Sequence, residues 1–400
     1  VLNSITYPPD STKVCAELQK YLVTLFGQKR TASLLSTLRQ PGPYFYLRTN
    51  TLRTTNEELI ALLAEDGIQA HIYEPTLGAI AIPIKQGPPV PHYDKIVVAD
   101  KPSSENVLLG SHLYRPGVIR SDSFQEGDSV TVVNPCGHIV GSGIGAGNSA
   151  ELQAQKTGLF VRVTHPFYAL PSLADLAASQ AGLFYSQSLP AMLVAPILNP
   201  KPGETVIDFC AAPGGKTTHI AQLTQNQCRI FAVDRSEGRL SRLETEAKKL
   251  GVTCVKTFVG RANEFCAQYP DVSADRIIVD PPCTALGVRP KLFDLTTFAR
   301  IRSTASYQRM ILDSAIETLR PGGILVYSTC TLTVEENEHN IQYLIESQGF
   351  KLEPQTPYLG EGGIDGDLPL GQGVQRFYPD YHDLPGYFIA KLRKPVKSGS

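Results

Sequence analysis

The apolar positions change period several times along the chain, and each change marks an element. Between Thr12 and Arg39 they recur at helical spacing: Val14, Leu18, Tyr21, Leu22 and Leu25, then Ala32, Leu34, Leu35 and Leu38, with Gly27 dividing the run. Phe45–Leu52 alternates as a strand does. Asn56–Glu65 returns to helical spacing and ends at Asp66-Gly67, and Ile68–Tyr73 and Ala79–Ile84 read as two more strands. Residues 1–90 are thus expected to form a small α+β module. After the Pro-rich stretch Pro88–Tyr93 the texture changes to short apolar runs separated by glycines. Strands are expected at Lys95–Val98, Asn106–Leu109, Gly117–Ser121, Ser129–Val133, Ile139–Gly145 and Phe160–Val163, which suits a small β-barrel over 94–165.

Residues 170–400 carry a third texture. Leu173–Leu198 reads as a helical lead-in. The apolar runs Val206–Phe209, Arg229–Asp234, Val252–Val259, Asp275–Asp280 and Ile324–Ser328 then alternate with stretches of helical character from Lys216, from Glu237 to Leu250, and over Thr296–Leu319. Glu335–Gln348 reads as another helix. Tyr387–Leu392 reads as a last strand, expected antiparallel at an edge. The alternation predicts an α/β fold, a doubly wound Rossmann-like sheet.

Composition narrows the class. With 42% apolar and 19% charged residues among 400, the chain is expected to fold and to hold two or three domains. No apolar run reaches the length of a membrane span, and the opening residues lack a basic stretch leading into an apolar core, so no membrane partner and no secretory leader are expected. Eight cysteines at irregular spacing, without a C-x-x-C pair, suit free thiols in a reducing, cytoplasmic setting. They suit neither a disulfide framework nor a metal site. The net charge of −1 leaves nucleic-acid binding to local patches.

Candidate chemistry gathers around Val206–Thr217, VIDFCAAPGGKT. A strand runs into a loop of small residues (Cys210, Ala211, Ala212, Pro213, Gly214, Gly215), and a helix begins near Lys216. Such a loop leaves backbone N–H groups approachable beside a helix N-terminus. A phosphate-cradling loop of the form G-x-x-x-x-G-K-[ST] would need glycine where Cys210 stands. The other ligand that suits the loop is S-adenosylmethionine, which carries no phosphate. Its ribose calls for a carboxylate at the end of the next strand, and Asp234 ends Arg229–Asp234.

Two further strand ends carry cysteine: Asp280-Pro281-Pro282-Cys283 and Ser328-Thr329-Cys330. A methyl acceptor that needs a thiol is carbon 5 of cytosine. It becomes nucleophilic only after a thiolate adds at carbon 6. Asp280 is placed to meet the pairing edge of the base, and Lys216 to lower a thiol's pKa or neutralise charge. A second thiol can take the carbon 5 proton; spacing does not say which cysteine does which. The alternative is a methyltransferase acting on an exocyclic amine. Those carry [DN]-P-P followed by an aromatic residue, and here Cys283 follows.

Cys210–Thr217, Asp280–Cys283 and Ser328–Thr331, with Glu335–Glu338, Gln375–Pro379 and Gly386–Leu392, resemble the Sun family of RNA 5-methylcytosine methyltransferases. The segment Gly110–Val118, the turn at Phe124–Asp128 and the run Gly141–Gly145 resemble a PUA domain, an RNA-binding barrel. Together they are similar to the subgroup that methylates tRNA near its acceptor end. The resemblance implies that Cys330 is the nucleophile and Cys283 resolves the adduct. It also places Cys210–Lys216, Asp234 and Asp280 around S-adenosylmethionine and the base, and makes tRNA the partner, with a monomer plausible. The family's acidic residue after the third strand, which meets the adenine amino group, is Val259 here, and a frequent histidine after Tyr-Pro is Asp380. Tyr114, with Lys101, Arg115 and Arg120 nearby, offers stacking and positive charge for single-stranded RNA. Arg289, Lys291, Arg300, Arg302 and Arg309 form a second basic cluster after Cys283, expected to meet phosphates.

Overall fold

Gly27 interrupts the first helix as its sequence suggests: α1 (Ala16–Leu38) kinks there, where φ is 76°. The computed structural model describes residues 6–8, 12–74, 77–364 and 370–396. After α1 come β1 (Tyr44–Thr49), α2 (Asn56–Glu65), β2 (His71–Glu74) and β3 (Ala79–Pro83). Thr55 and Glu58 close a capping box that starts α2. One face of this antiparallel sheet buries Leu47, Ile80 and Ile82 against Leu59 and Leu63 of α2. Its other face carries Tyr46, Ala79 and Ala81 into the core of the C-terminal part. The sheet takes its fourth strand, Phe184–Ser186, from far downstream, and that strand pairs with β1. Leu173–Leu198 is therefore not one helical lead-in. A turn of helix at Ala177–Gln180 and this strand precede α4 (Leu189–Leu198). Gly182 separates them, and the alternating run Phe184–Ser186 suits the open edge of β1.

The middle part holds β4 (Ile96–Ala99), α3 (Lys101–Leu108), β5 (Leu113–Tyr114), β6 (Val118–Ser121), β7 (Ser129–Val133), β8 (Ile139–Gly145) and β9 (Leu159–Pro166). The strand order is β5-β9-β8-β7-β4-β6, and all six strands contribute side chains to one core around Phe124 and Phe160. Asn106–Leu109, expected as a strand, ends α3 instead. Asp100 caps that helix by accepting from the Ser103 N–H, and Pro102 sits in the first turn, where its missing donor costs nothing.

The C-terminal part alternates as expected: β10 (Thr205–Phe209), α5 (Gly215–Leu223), β11 (Arg229–Asp234), α6 (Glu237–Lys249), β12 (Val255–Val259), β13 (Ala274–Val279), α7 (Phe298–Thr318), β14 (Leu319–Thr329) and α8 (Glu338–Gln348). Three more strands follow: β15 (Lys351–Leu352), β16 (Val374–Phe377) and β17 (Tyr387–Arg393). The sheet order is β12-β11-β10-β13-β14-β17-β15, with β16 also pairing β17. Strands β10 to β14 are mutually parallel, and β17 runs antiparallel to β14. β17 is not an edge strand; β15 and β16 cover its far side, which explains why Tyr387–Ala390 are all buried. Side chains alternate between two cores. Val206, Ile230, Ile278 and Val326 face α4, while Ile207, Phe231, Ile277 and Leu325 face α7 and α8. The chain reverses direction across the sheet between β10 and β13, which opens a crevice at their carboxyl ends.

Candidate active site

The loop after β10 starts with a strained step: Cys210 has φ 66° and Gly214 φ 108°. Gly214 then serves as the N-cap of α5. Asp234, at the end of β11, is buried. Its carboxylate accepts from the Ala212 N–H at 3.3 Å and the Ser236 N–H at 3.0 Å, and Arg239 pairs with it at 3.4 Å. Arg239 also donates to the Ala212 carbonyl, so it ties the loop to α6. A cleft beside them is lined by Cys210, Asp234, Gly260, Pro282, Tyr307 and Ile311. A carboxylate next to apolar and aromatic walls is the donor set an adenosyl group calls for: the acid would take the ribose hydroxyls and the walls the base. Val259 is 53% exposed and does not line the cleft, whereas Gly260 and Arg261 do. Burial pushes the Cys210 thiol up, and Asp234 and Asp280 add to the effect, so Cys210 is a wall and not a nucleophile.

Four strand ends converge next to this cleft. Asp280 follows β13, and its carboxylate accepts from Lys216 Nζ at 2.7 Å, from Ser328 Oγ at 2.7 Å and from the Tyr387 hydroxyl at 3.3 Å. Burial alone would pull Lys216 down. Asp280 and Tyr387 outweigh it and hold the ammonium above its ordinary range, so it stays charged. Cys283 and Cys330 meet with their Sγ atoms 3.3 Å apart. The hydrogen bond between them lowers Cys330 and raises Cys283; burial and Asp280 oppose the effect on Cys330 while Lys216 supports it, and burial and Glu336 further disfavour a charge on Cys283.

Residues that sequence reasoning left without a role hold the two thiols in place. Glu336 is buried and accepts from the Thr284 N–H at 2.8 Å, the Thr284 hydroxyl at 2.5 Å, Thr333 Oγ1 at 2.8 Å and Gln308 Nε2 at 3.2 Å. Gln308 also donates to the Pro282 carbonyl at 3.0 Å. The loop carrying Cys283 thus hangs on one carboxylate from beyond β14. Glu336 lies in the quoted Glu335–Glu338 run, and that run was its only signal. The loop is also stitched to Cys330 directly, since the Gly287 N–H donates to the Cys330 carbonyl at 3.0 Å.

The expected RNA contacts divide. Tyr114 is 55% exposed and Arg120 is exposed on β6. Arg115 donates to the Gln153 and Val118 carbonyls, and Lys101 pairs with Glu105 at 2.7 Å and lies over Phe293. Two expectations fail. Arg289 donates to the Gln40 and Pro41 carbonyls and to Asp383, and only 3% of its side chain is exposed. Lys291 is buried and paired with Asp294 at 2.7 Å. Both sit on a segment wedged between α1 and the barrel, where Leu292 and Phe293 join the barrel core. Their charges brace modules and do not face solvent. Arg300 and Arg302 remain exposed on α7; Arg309, also exposed, bonds Asn340.

Comparison with known proteins agrees with this geometry. The profile described as 16S rRNA methyltransferase RsmB/F matches residues 195–393, and that of the PUA domain matches residues 95–167. A tRNA (cytosine(72)-C(5))-methyltransferase of Pyrococcus horikoshii is 43% identical over 94% of this chain and 96% of its own. The mouse tRNA (cytosine(72)-C(5))-methyltransferase NSUN6 is 30% identical over 88% of this chain and 82% of its own. The crystal structure of NSun6 from P. horikoshii with SFG superposes with a TM-score of 0.84, at 42% identity, over 95% of this chain and 98% of that one. Cys283 follows Asp280-Pro281-Pro282 where an amine methyltransferase would place an aromatic residue, and the amine alternative finds no support among these relatives. The chain belongs to the Sun family of RNA (cytosine-5)-methyltransferases, which use S-adenosylmethionine, and it carries a PUA domain ahead of its catalytic sheet.

Proposed function

We propose that the enzyme methylates carbon 5 of a tRNA cytosine beside the 3′ acceptor end, position 72 in the relatives it resembles, through a covalent adduct with Cys330. The observation that carries the reading is the pair of thiols 3.3 Å apart, next to the Lys216–Asp280 pair. In this reading residues 170–400 are the catalytic part. The 94–165 barrel presents Tyr114 and Arg120 to the single-stranded end. Cys210–Lys216, Asp234 and Asp280 border the methyl donor, which supplies an electrophilic methyl carbon when bound.

The chain's own residues do the rest. The Cys330 thiolate adds to carbon 6 of the extruded base, and the electrons move onto carbon 5. Asp280 accepts from the base's amino edge, held in place by Lys216, Ser328 and Tyr387. Carbon 5 takes the methyl group while still bearing its proton. Once Cys330 is bonded to carbon it no longer accepts Cys283's proton and no longer bears charge. Both were causes of the raised Cys283 pKa, so Cys283 becomes more acidic than in the free enzyme, with burial and Glu336 still opposing its charge. It loses its proton to solvent, takes the one on carbon 5, and the carbon 6–sulfur bond breaks to free Cys330.

The test is transfer of labelled methyl to tRNA by the parent, Cys330→Ala and Cys283→Ala. Cys330→Ala is expected to be inactive. Cys283→Ala is expected to accumulate a protein–RNA adduct that survives denaturing electrophoresis. Methylation by both variants at the parental rate would overturn the reading.

A further inference from the structure

Arg48 and Arg376 are the two fully buried arginines among the described residues; Arg376 pairs with Glu338, whereas Arg48 has no carboxylate partner there. It projects from β1 of the N-terminal sheet, outside the catalytic sheet. Its Nε donates to Gln222 Oε1 at 3.0 Å and one terminal nitrogen donates to Thr218 Oγ1 at 2.9 Å, both on α5. The other terminal nitrogen donates to Gln187 and, at 2.5 Å, to the carbonyl of Gly215. The Tyr185 ring lies 5.1 Å from the guanidinium carbon. Burying a cation without a counter-charge is costly unless its donors are used, and here neutral dipoles take four of its five N–H groups. Asn50, two residues on, also ties the two modules together. It is fully buried, donates to the Gly182 and Leu250 carbonyls, and accepts from Gln222.

What Arg48 adds is a short bond from the N-terminal module to the carbonyl of Gly215, the last residue of the loop, which Thr218 Oγ1 also meets at 3.4 Å from within the helix. The next residue is Lys216, whose side chain reaches Asp280. Gly215 is also close to the strand that completes the N-terminal sheet: a Cβ there would come within 3.0 Å of the Tyr185 ring. A planar fork that bonds the carbonyl of Gly215 and two side chains of the helix it opens, Thr218 and Gln222, holds that turn against the N-terminal sheet. We propose that Arg48 is a positioning residue for methyl-donor binding, so that the N-terminal module sets the shape of the cofactor loop. The inference rests on the reading that Cys210–Lys216 borders the donor.

Arg48→Met, Arg48→Lys, Asn50→Ala and Asp234→Ala separate the possibilities. The readouts are sinefungin affinity by calorimetry, KM for S-adenosylmethionine, KM for tRNA, and Tm. Arg48→Met is expected to weaken sinefungin binding and raise the donor KM at least tenfold, while the tRNA KM stays within twofold. Arg48→Lys keeps the charge without the fork and is expected to recover part of that loss. Asn50→Ala is expected to lower Tm and leave the donor KM unchanged. A parental donor affinity in Arg48→Met, whatever its Tm, overturns the inference. So does an equal loss in Asn50→Ala, which would make docking alone responsible. If Arg48→Met does not fold, Arg48→Lys is read in its place: a threefold or larger rise in donor KM supports the inference and none overturns it. Asp234→Ala reports on the site itself. If it leaves sinefungin binding intact, the reading of the cleft fails; if it weakens binding while both Arg48 variants do not, only the role of Arg48 fails.

Discussion

Two thiols 3.3 Å apart share a hydrogen bond that favours the charged form of Cys330 and disfavours that of Cys283. The same electrostatic logic gives a second expectation one strand away. Asp208 is fully buried, with one oxygen accepting from Thr217 at 2.6 Å and the other unpartnered. Burial pushes its carboxyl up to about 7 from an ordinary 3.8; the Thr217 hydrogen bond and Lys216 only partly offset the burial. The folded protein therefore binds a proton here that the unfolded chain has released by pH 5. Stability must fall as the pH rises from about 4 to about 7, by roughly 4 kcal/mol for this group if nothing relaxes. Asp208→Asn is expected to remove that slope. Urea denaturation at pH 5 and pH 8 measures it, and equal pH dependence in parent and variant would exclude the effect.

At the scale of elements, the position of Cys283 depends on backbone contact between two glycines. Gly386 donates to the Gly287 carbonyl at 2.8 Å, and a Cβ on Gly287 would lie 2.2 Å from the Gly386 oxygen. Gly287→Ala must push the loop off β17, and with it the bond from Gly287 to the Cys330 carbonyl. A fall in kcat of tenfold or more is expected, together with a loss of about 1–3 kcal/mol in stability; thermal unfolding beside methyl-transfer assays checks both. Elements built from local periodicity were legible beforehand: Asn56–Glu65, Ser129–Val133, Ile139–Gly145 and Arg229–Asp234 have the expected bounds. So was the gathering of the Cys210–Lys216 loop, Asp234, Asp280 and the two cysteines, because their residue types are tied to strand ends. What sequence left obscure depends on distant partners. Phe184–Ser186 is a strand only because β1 offers an edge, and Glu336 matters only because the fold lays it under Thr284. Arg289 and Lys291 look like a solvated basic cluster until the barrel and α1 close over them.

Across the whole molecule, RNA affinity must then come from elsewhere. Tyr114 and Arg120 on the barrel are the expected residues that stay open to solvent there. Tyr114→Ala is expected to weaken tRNA binding five-fold or more, as loss of one stacked base does, with little change in salt dependence. Arg120→Ala is expected to cut the slope of log affinity against log salt by about one phosphate contact. Filter binding across a salt series distinguishes them, and parental affinity and slope in both variants would remove the barrel from the interface.

The strand Phe184–Ser186 has one more consequence, in the order of synthesis. It completes the first sheet only after the whole barrel has been made, about a hundred residues later. At about 5–20 residues per second, the growing chain spends several seconds with the edge of β1 unpaired and Arg48 without its acceptors on α5. During that interval the barrel, whose strands are all local to one another, is free to fold first. The nascent chain is thus most exposed to wrong strand pairing at its beginning, although the last-made part carries the chemistry.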